Sequence, residues 1–511
     1  LNVADYLLDN QAPPDHALLL GLDRDYTHGE IAAGVEQVAH FLLSRTQKGD
    51  RVILIGDNSA FWVTSYLGAI KAGCVVVPLL PDISVRDLTC VLQSTEAKVG
   101  FLERRASKAH LPLFAKGSLV ILDTPGDVPA GCPCHVMAAA EARGESRRAT
   151  GVFPEIDDRR DLAALMFTSG STGQPRGVMV SHRNLIANTD SIIRYLELTS
   201  ADRIMAVLPF SYCFGTSLLH THLRVGGSVV LDPRFMFPDK VLVRMQATRC
   251  TGFAGVPTHY QMLLRNSHLK QMKFPDLRYV QQAGGRLSGS LIQELRETLP
   301  NTRVFVMYGQ TEATARLSYL SPELLDTKLA SIGKAIPGVT LRVLDEAGKQ
   351  VAPGQVGEIV AEGDNICLGY WRDIEETSTV FRGARLHTGD LATVDEDGYL
   401  FIVDRVKDIL KCGGKRVGCK QVEDALLESD TLVEAAVVGI PDNTLGEAVK
   451  AFVVPRDGQD GDVLESLQKF CADHLPPHLV PKEIVVLDAL PKNSAGKVMK
   501  VALKMMQVAG K

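Results

Sequence analysis

The sequence predicts an α/β protein. It should have a large N-terminal domain of mostly parallel sheets with helices, a small β-rich subdomain, and a small α+β C-terminal domain. Three observations carry this reading. Apolar strand-like runs alternate with helical stripes from Tyr26 to Tyr308, the pattern of strands joined by helical crossovers. A glycine- and hydroxyl-rich stretch, Thr168 to Gly177, separates two apolar runs. Past Gly357 the pattern changes to short strands with turns such as Asp397-Gly398. The chain has 511 residues, more than one domain usually holds, and we place a boundary between residues 1–404 and 405–511.

The elements follow in order. Tyr26-Thr27-His28-Gly29-Glu30 opens a helix whose Ile31, Val35, Val38, Ala39 and Leu42 share one stripe. Arg51 to Ile55 reads as a strand, Asn58-Ser59 as the cap of a second helix, and Cys74 to Pro78 as another strand. Residues 126–160, rich in Gly, Pro, Ala and charge, read as an irregular connection. Leu162 to Phe167 is an apolar strand, and Val178-Met179-Val180 a second, with the glycine-rich stretch as a hairpin turn between them. A helix over 184–196 and a strand from Arg203 come next. Two strands end on loops: Leu277 to Gln282 runs into Ala283-Gly284-Gly285, and Val304 to Met307 into Tyr308-Gly309-Gln310-Thr311-Glu312. Between them a helix starts at Ser290, at capping-box spacing. Ligands in open α/β sheets sit where strands end, so these loops should converge on one cleft.

Bulk properties exclude several classes. Net charge is −5 and the pI near 6.3, which gives no support for a nucleic-acid partner. No apolar run is long enough to span a bilayer and no signal peptide is evident, so a cytoplasmic protein is expected. The ten cysteines are scattered, so neither a zinc site nor a disulfide framework is expected. His220-Thr-His222 could place two imidazoles on one face of a strand, but with no acidic or thiol partner nearby packing is the expected role.

The turn Thr168-Ser169-Gly170-Ser171-Thr172-Gly173-Gln174-Pro175-Arg176-Gly177 offers hydroxyls, free N–H groups and one fixed cation, a concavity suited to polyphosphate oxygens. It lacks the Gly-Lys-Ser/Thr ending of a Walker loop, and by itself a solvated turn would have the same composition. It resembles the phosphate loop of adenylate-forming enzymes: acyl-CoA synthetases, aryl-CoA ligases, adenylation domains of nonribosomal peptide synthetases and firefly luciferase. The resemblance runs in order over nearly the whole chain. It includes Gly49-Asp50-Arg51-Val52, Lys71-Ala72-Gly73, Val77-Pro78-Leu79, Tyr308 to Glu312, Gly357-Glu358 through Gly369-Tyr370-Trp371, Thr388-Gly389-Asp390, Asp404-Arg405, and Pro491-Lys492 through Gly496-Lys497.

The resemblance implies an ATP-dependent carboxylic acid ligase. It implies an acyl-adenylate formed with release of pyrophosphate, then an acyl thioester on CoA or on a phosphopantetheinyl carrier protein. Implied roles follow residue by residue. Thr168, Ser169, Gly170, Ser171, Thr172, Gly173, Gly284, Gly285, Tyr308, Gly309, Gln310, Asp390 and Arg405 bind ATP, with Asp390 on the ribose hydroxyls. Thr311 bonds the α-phosphate, Glu312 holds Mg²⁺, and Arg176 and Lys497 supply charge. The C-terminal domain is implied to move about Lys407, with Lys411, Gly413 and Gly414 serving the thioester step. The glycine-rich basic loop beyond Lys411 is equally compatible with a solvated turn. Arg176 departs from the family's lysine, and Tyr212 stands where its gating histidine is usual.

A carboxylate is already ionised at neutral pH, so the first step needs no general base. Its obstacle is repulsion between anions, and one opposite charge at 4 Å offsets about 4 kcal/mol at an effective dielectric of 20. The stretch Arg203 to Leu231 contains no Asp or Glu to pair with an ammonium, which favours a non-amino acyl or aryl acid. Ser211, Tyr212, His259 and Gln281 are candidate pocket residues, with Gln282, Arg286 and Arg316 as further polar candidates. A catalytically inactive nucleotide-binding regulator is the reading from another class, and intact Thr311, Glu312, Asp390, Arg405 and Lys497 speak against it.

Overall fold

The computed structural model describes all residues except 127, 130, 147–150, 170–174, 406–407, 413–414, 430, 443–444, 457–462, 493–497 and 507–511. The chain divides into two compact units. One comprises Leu1–Leu329, Ala335–Thr340 and Ala361–Leu386; the other Ala330–Lys334, Leu341–Val360 and His387–Lys511.

The first unit is α/β, as expected. Its seven-stranded sheet runs His135–Ala138, Leu119–Leu122, Val99–Leu102, Arg51–Ile55, Val75–Leu79, Leu162–Ser169, Pro175–Ser181. All neighbours in it are parallel except the last pair. Val75–Leu79 is buried at every position, which is why its sequence is a continuous apolar run rather than an alternation. The second sheet has nine strands. Its parallel centre runs Arg303–Tyr308, Tyr279–Gln282, Gly252–Gly255, Arg203–Ala206, Ser228–Leu231, Ala17–Leu20. The helix Ala60–Lys71 buries Trp62, Tyr66, Leu67 and Ile70 in the core of this unit, and Ser59 caps it by accepting the Trp62 N–H.

The other unit carries a β-sheet with Gly446–Pro455 between Ile409–Cys412 and Leu432–Asp442, and Glu483–Val486 also pairs with it, in parallel. Helices Cys419–Leu427 and Val463–His474 contribute Val422, Leu426, Leu467 and Cys471 to its core.

Three local readings need correction. Residues 126–160 are not wholly irregular: His135–Ala138 forms the edge strand of the seven-stranded sheet and Ala139–Ser146 a helix. Their weak apolar pattern reflects the half-exposed edge position. His220 and His222 lie on a helix, Cys213–Val225, not a strand. The packing role does hold: His220 stacks on Tyr66, and His222 Nε2 is 3.1 Å from the Tyr279 hydroxyl. The helix predicted from Ser290 starts at Gly289, because Ser288 is the residue that caps it, accepting the Leu291 N–H.

Candidate active site

The hairpin around the glycine-rich turn is formed as the sequence predicted. Leu162–Ser169 pairs antiparallel with Pro175–Ser181, setting Thr168 opposite Arg176 and Ser169 opposite Pro175. The proposed phosphate-binding Gly170, Ser171, Thr172 and Gly173 lie outside the described residues, as do Lys407, Gly413, Gly414 and Lys497.

The outer strand of this hairpin is joined to the Thr311–Glu312 segment by a short extended run. Leu368 N–H donates to Met179 O, Met179 N–H to Gly369 O and Trp371 N–H to Gly177 O. Cys367 N–H donates to Glu312 O in the same run. The run delivers Tyr370, whose hydroxyl donates to Glu312 Oε1 at 2.8 Å. The sequence places Tyr370 in the motif ending Gly369-Tyr370-Trp371, read there as structural; the contact with Glu312 is what the motif alone does not show. Beside it lies a cleft of ≈ 250 Å³ lined by Phe167, Pro175, Arg176, Gly177, Tyr370 and Trp371, among others. Arg176 enters as a paired cation. Its Nη1 is 2.6 Å from Glu376 Oε1 and its Nε 3.6 Å from Asp373 Oδ2.

Glycine is required at position 309. A Cβ there would lie 2.0 Å from the Ala315 carbonyl oxygen, so the chain can turn back tightly only without one. Thr311 follows, its Oγ1 3.6 Å from Cys213 Sγ. Tyr308 is buried, and the Gln310 Nε2 is buried with no partner among the described residues. The turn after Tyr279–Gln282 is closed by Gln282, whose Nε2 donates to Gly285 O at 2.5 Å, with Gly284 at φ +84°.

The proposed pocket residues differ in kind. Ser211 Oγ and Gln281 Oε1 are buried without a partner among the described residues. Tyr212 is the N-cap residue of Cys213–Val225. His259 is committed to structure: its Nδ1 accepts the Val256 N–H at 3.1 Å and its ring meets Phe235 edge-on. Burial pulls its pKa down to about 4, so it is neutral at pH 7. Arg286 is exposed, whereas Arg316 is almost wholly buried.

In the other unit, Asp390 and Arg405 are brought together. Antiparallel pairing sets the two residues opposite each other, and Arg405 Nε donates to Asp390 Oδ1 at 2.8 Å. The turn before Asp390 rests on Glu358, whose Oε1 accepts the Gly389 N–H while Oε2 lies 2.8 Å from His387 Nδ1. Asp404 accepts both the Arg405 and the Lys420 N–H, at 2.6 and 2.8 Å, tying this strand to the start of helix Cys419–Leu427. Lys411 lies on Ile409–Cys412, opposite Arg416.

Two family models cover most of the chain. The AMP-binding enzyme model matches residues 8–371, and the AMP-binding enzyme C-terminal domain model matches residues 421–497. Among curated relatives, a long-chain-fatty-acid–CoA ligase of Bacillus subtilis is 30% identical, over 95% of this chain and 91% of its own. A feruloyl-CoA synthase of Amycolatopsis is 32% identical, over 93% of this chain and 92% of its own. Among solved structures, the anthranilate CoA ligase AuaEII in complex with anthranoyl-AMP superposes with a TM-score of 0.88 at 25% identity, covering 100% of this chain and 98% of that one. ATP-bound MatB from Rhodopseudomonas palustris gives 0.87 at 28% identity, covering 99% and 98%. Fold and site thus define an ATP-dependent, AMP-forming acid–thiol ligase. The chain belongs to the AMP-binding enzyme family.

Proposed function

We propose that this protein activates a non-amino carboxylic acid as its adenylate and transfers the acyl group to the thiol of CoA. The observation that supports the site assignment best is the Glu312–Tyr370 pair. A carboxylate is fixed at a strand end, beside Thr311 and joined by backbone hydrogen bonds to the phosphate hairpin.

In the first step a substrate carboxylate oxygen attacks the α-phosphorus of ATP and pyrophosphate leaves. Thr311 donates to the α-phosphate, while the hairpin N–H groups and hydroxyls hold the outer phosphates. Asp390, kept in place by Arg405, accepts the ribose hydroxyls. Glu312 would hold Mg²⁺, and the residues fit that ion. It takes one or two carboxylates plus phosphate oxygens, and no cluster of three His, Cys, Asp or Glu residues suited to a protein-built cage occurs among the described residues. Bound there, it would neutralise charge building on the phosphates. Lys497 adds a cation from the C-terminal part. Residues 405–511 form the moving part, with Lys407 as pivot. In the second step the pantetheine thiolate attacks the acyl carbon and AMP leaves, guided by Lys411 and the glycine-rich turn after it.

Ten cysteines, none in a disulfide, suit a reducing compartment such as the cytoplasm. Among the described residues no helix is long and apolar enough to cross a membrane.

The test is ATP–pyrophosphate exchange across a panel of acids, with Glu312→Gln as control. Exchange with aliphatic or aryl acids, lowered at least about 100-fold in the variant, is the expected result. Exchange with α-amino acids alone, or none with any acid, would reject the reading. Adding CoA or a holo-carrier protein to the charged enzyme then identifies the acceptor.

A further inference from the structure

Arg316 is 1% exposed, and among the described residues its charge meets no counterion. Guanidinium stays protonated at any ordinary pH, and it offers five donors. Here Nε reaches the Met307 sulfur at 3.4 Å and Nη1 the Ala315 carbonyl at 3.5 Å, the limit of a hydrogen bond, and the Tyr195 hydroxyl, an uncharged partner, also interacts with the group. Among the described residues Nη2 is buried with no partner, and no carboxylate forms an ion pair with the guanidinium. The group sits 4.0 Å over the Phe214 ring. A cation–π contact offsets only part of the cost of drying a guanidinium. By contrast, Arg278, Arg234 and Arg265 in the same unit each meet a carboxylate.

The position is beside the chemistry. The Cα of Arg316 packs against Gly309, where a Cβ would come within 2.8 Å of it. Phe214, under the guanidinium, follows Cys213, whose sulfur is 3.6 Å from Thr311 Oγ1. Gln281, also 1% exposed, lies opposite Phe305 in the parallel ladder, so it shares a sheet face with Phe305 and Met307. Its amide oxygen is likewise buried without a partner, and O and N of such an amide interchange by a flip.

We propose that Arg316 selects the acid by pairing with a second anionic group on it, so that the substrate is a dicarboxylate rather than a simple fatty or aryl monoacid. This rests on the adenylating reading above. The second carboxylate, not the reacting one, is the partner for a physical reason. The reacting carboxylate becomes an uncharged acyl group on adenylation, which would strip the guanidinium of its counterion, and before that a bidentate arginine would hold back the attacking oxygen. A remote carboxylate keeps its charge through both steps, and planar arginine suits it.

Matched acids test this: adipate against hexanoate, suberate against octanoate, terephthalate against benzoate. Each is run in ATP–pyrophosphate exchange and, without ATP, in thermal unfolding, for the wild type and Arg316→Met. The wild type should prefer the dianion in at least one pair by about 100-fold or more in kcat/KM, because a site built for a polar group strongly rejects its absence. Arg316→Met should reduce that ratio to within about 5-fold. The preferred dianion should raise the melting temperature of the wild type and not of the variant. Exchange of monoacids as good as or better than of dianions in every pair would overturn the proposal and leave Arg316 a packing residue, whether or not Arg316→Met folds. Should no acid support exchange while a dicarboxylate still stabilises the wild type alone, this inference stands and the ligase reading falls.

Discussion

The Tyr370 hydroxyl donates to one oxygen of Glu312 and leaves the other to be used elsewhere. Burial raises the phenol's pKa, and the neighbouring carboxylate raises it further, so it keeps its proton and goes on donating throughout the physiological range. Hydrogen bonds to charged groups contribute about 1.5–3 kcal/mol. Tyr370→Phe should therefore slow exchange by roughly 10- to 100-fold. If the bond positions Glu312 for Mg²⁺, the Mg²⁺ concentration for half-maximal exchange should rise as well. An unchanged Mg²⁺ dependence with a lowered melting temperature would make Tyr370 a packing residue only. Arg176 shows the same dependence on neighbours: Glu376 and Asp373 already balance its charge, so it enters any phosphate contact as a shared cation.

Among the elements, the join between strand Leu400–Arg405 and helix Cys419–Leu427 depends on Asp404. The helix has no side-chain cap of its own at Gly418, and Asp404 takes the Lys420 N–H instead. Burial pushes the Asp404 carboxyl up to about 6, against the two backbone donors that pull it down. A carboxyl whose folded pKa lies above its unfolded value near 3.9 contributes stability below pH 4, and that contribution is lost as pH rises through 6. Stability of the wild type relative to Asp404→Asn should therefore rise as pH is lowered from 7.5 to 4.5, read by denaturant unfolding. A difference that stays flat over this window would show that Asp404 is not the titrating group. Asp404→Ala should cost about 1–3 kcal/mol at pH 7 by leaving two half-buried N–H donors unmet.

For the whole molecule, the two-step scheme assigns different residues to different half-reactions. Lys497→Ala should abolish pyrophosphate exchange. Lys411→Glu and Lys407→Pro should leave exchange largely intact while thioester formation on CoA falls steeply. Single-turnover measurement of each half-reaction separates the outcomes, and equal loss of both steps in all three variants would contradict a C-terminal part that serves them in turn.

The order of strands and helices along the chain and the hairpin around Thr168 to Gly177 were legible in the chain itself, whereas the division of the strands between two sheets was not. The legible features depend on local pattern: apolar runs, caps such as Ser59, and glycines at turns. The edge strand His135–Ala138 was not legible, since a half-exposed strand leaves little apolar period. The helical placement of His220 and His222 was not legible either, because three residues cannot distinguish period 2 from period 3.6. Thr311, Glu312 and Asp390 stood out through ordered motifs. Tyr370, Glu358 and Asp404 lie in matched motifs as well, but what they do there was not legible, because it depends on partners between 16 and 58 residues away: Tyr370 with Glu312, Glu358 with Gly389, Asp404 with Lys420. The sequence alone determined the elements and the chemistry on offer, which follow from neighbours a few positions apart. Only the tertiary structure decided which charges are already paired, as in Arg176, and which are buried with no carboxylate beside them among the described residues, as in Arg316. Pairing and desolvation depend on what the fold places around a side chain, which its own stretch of chain does not encode.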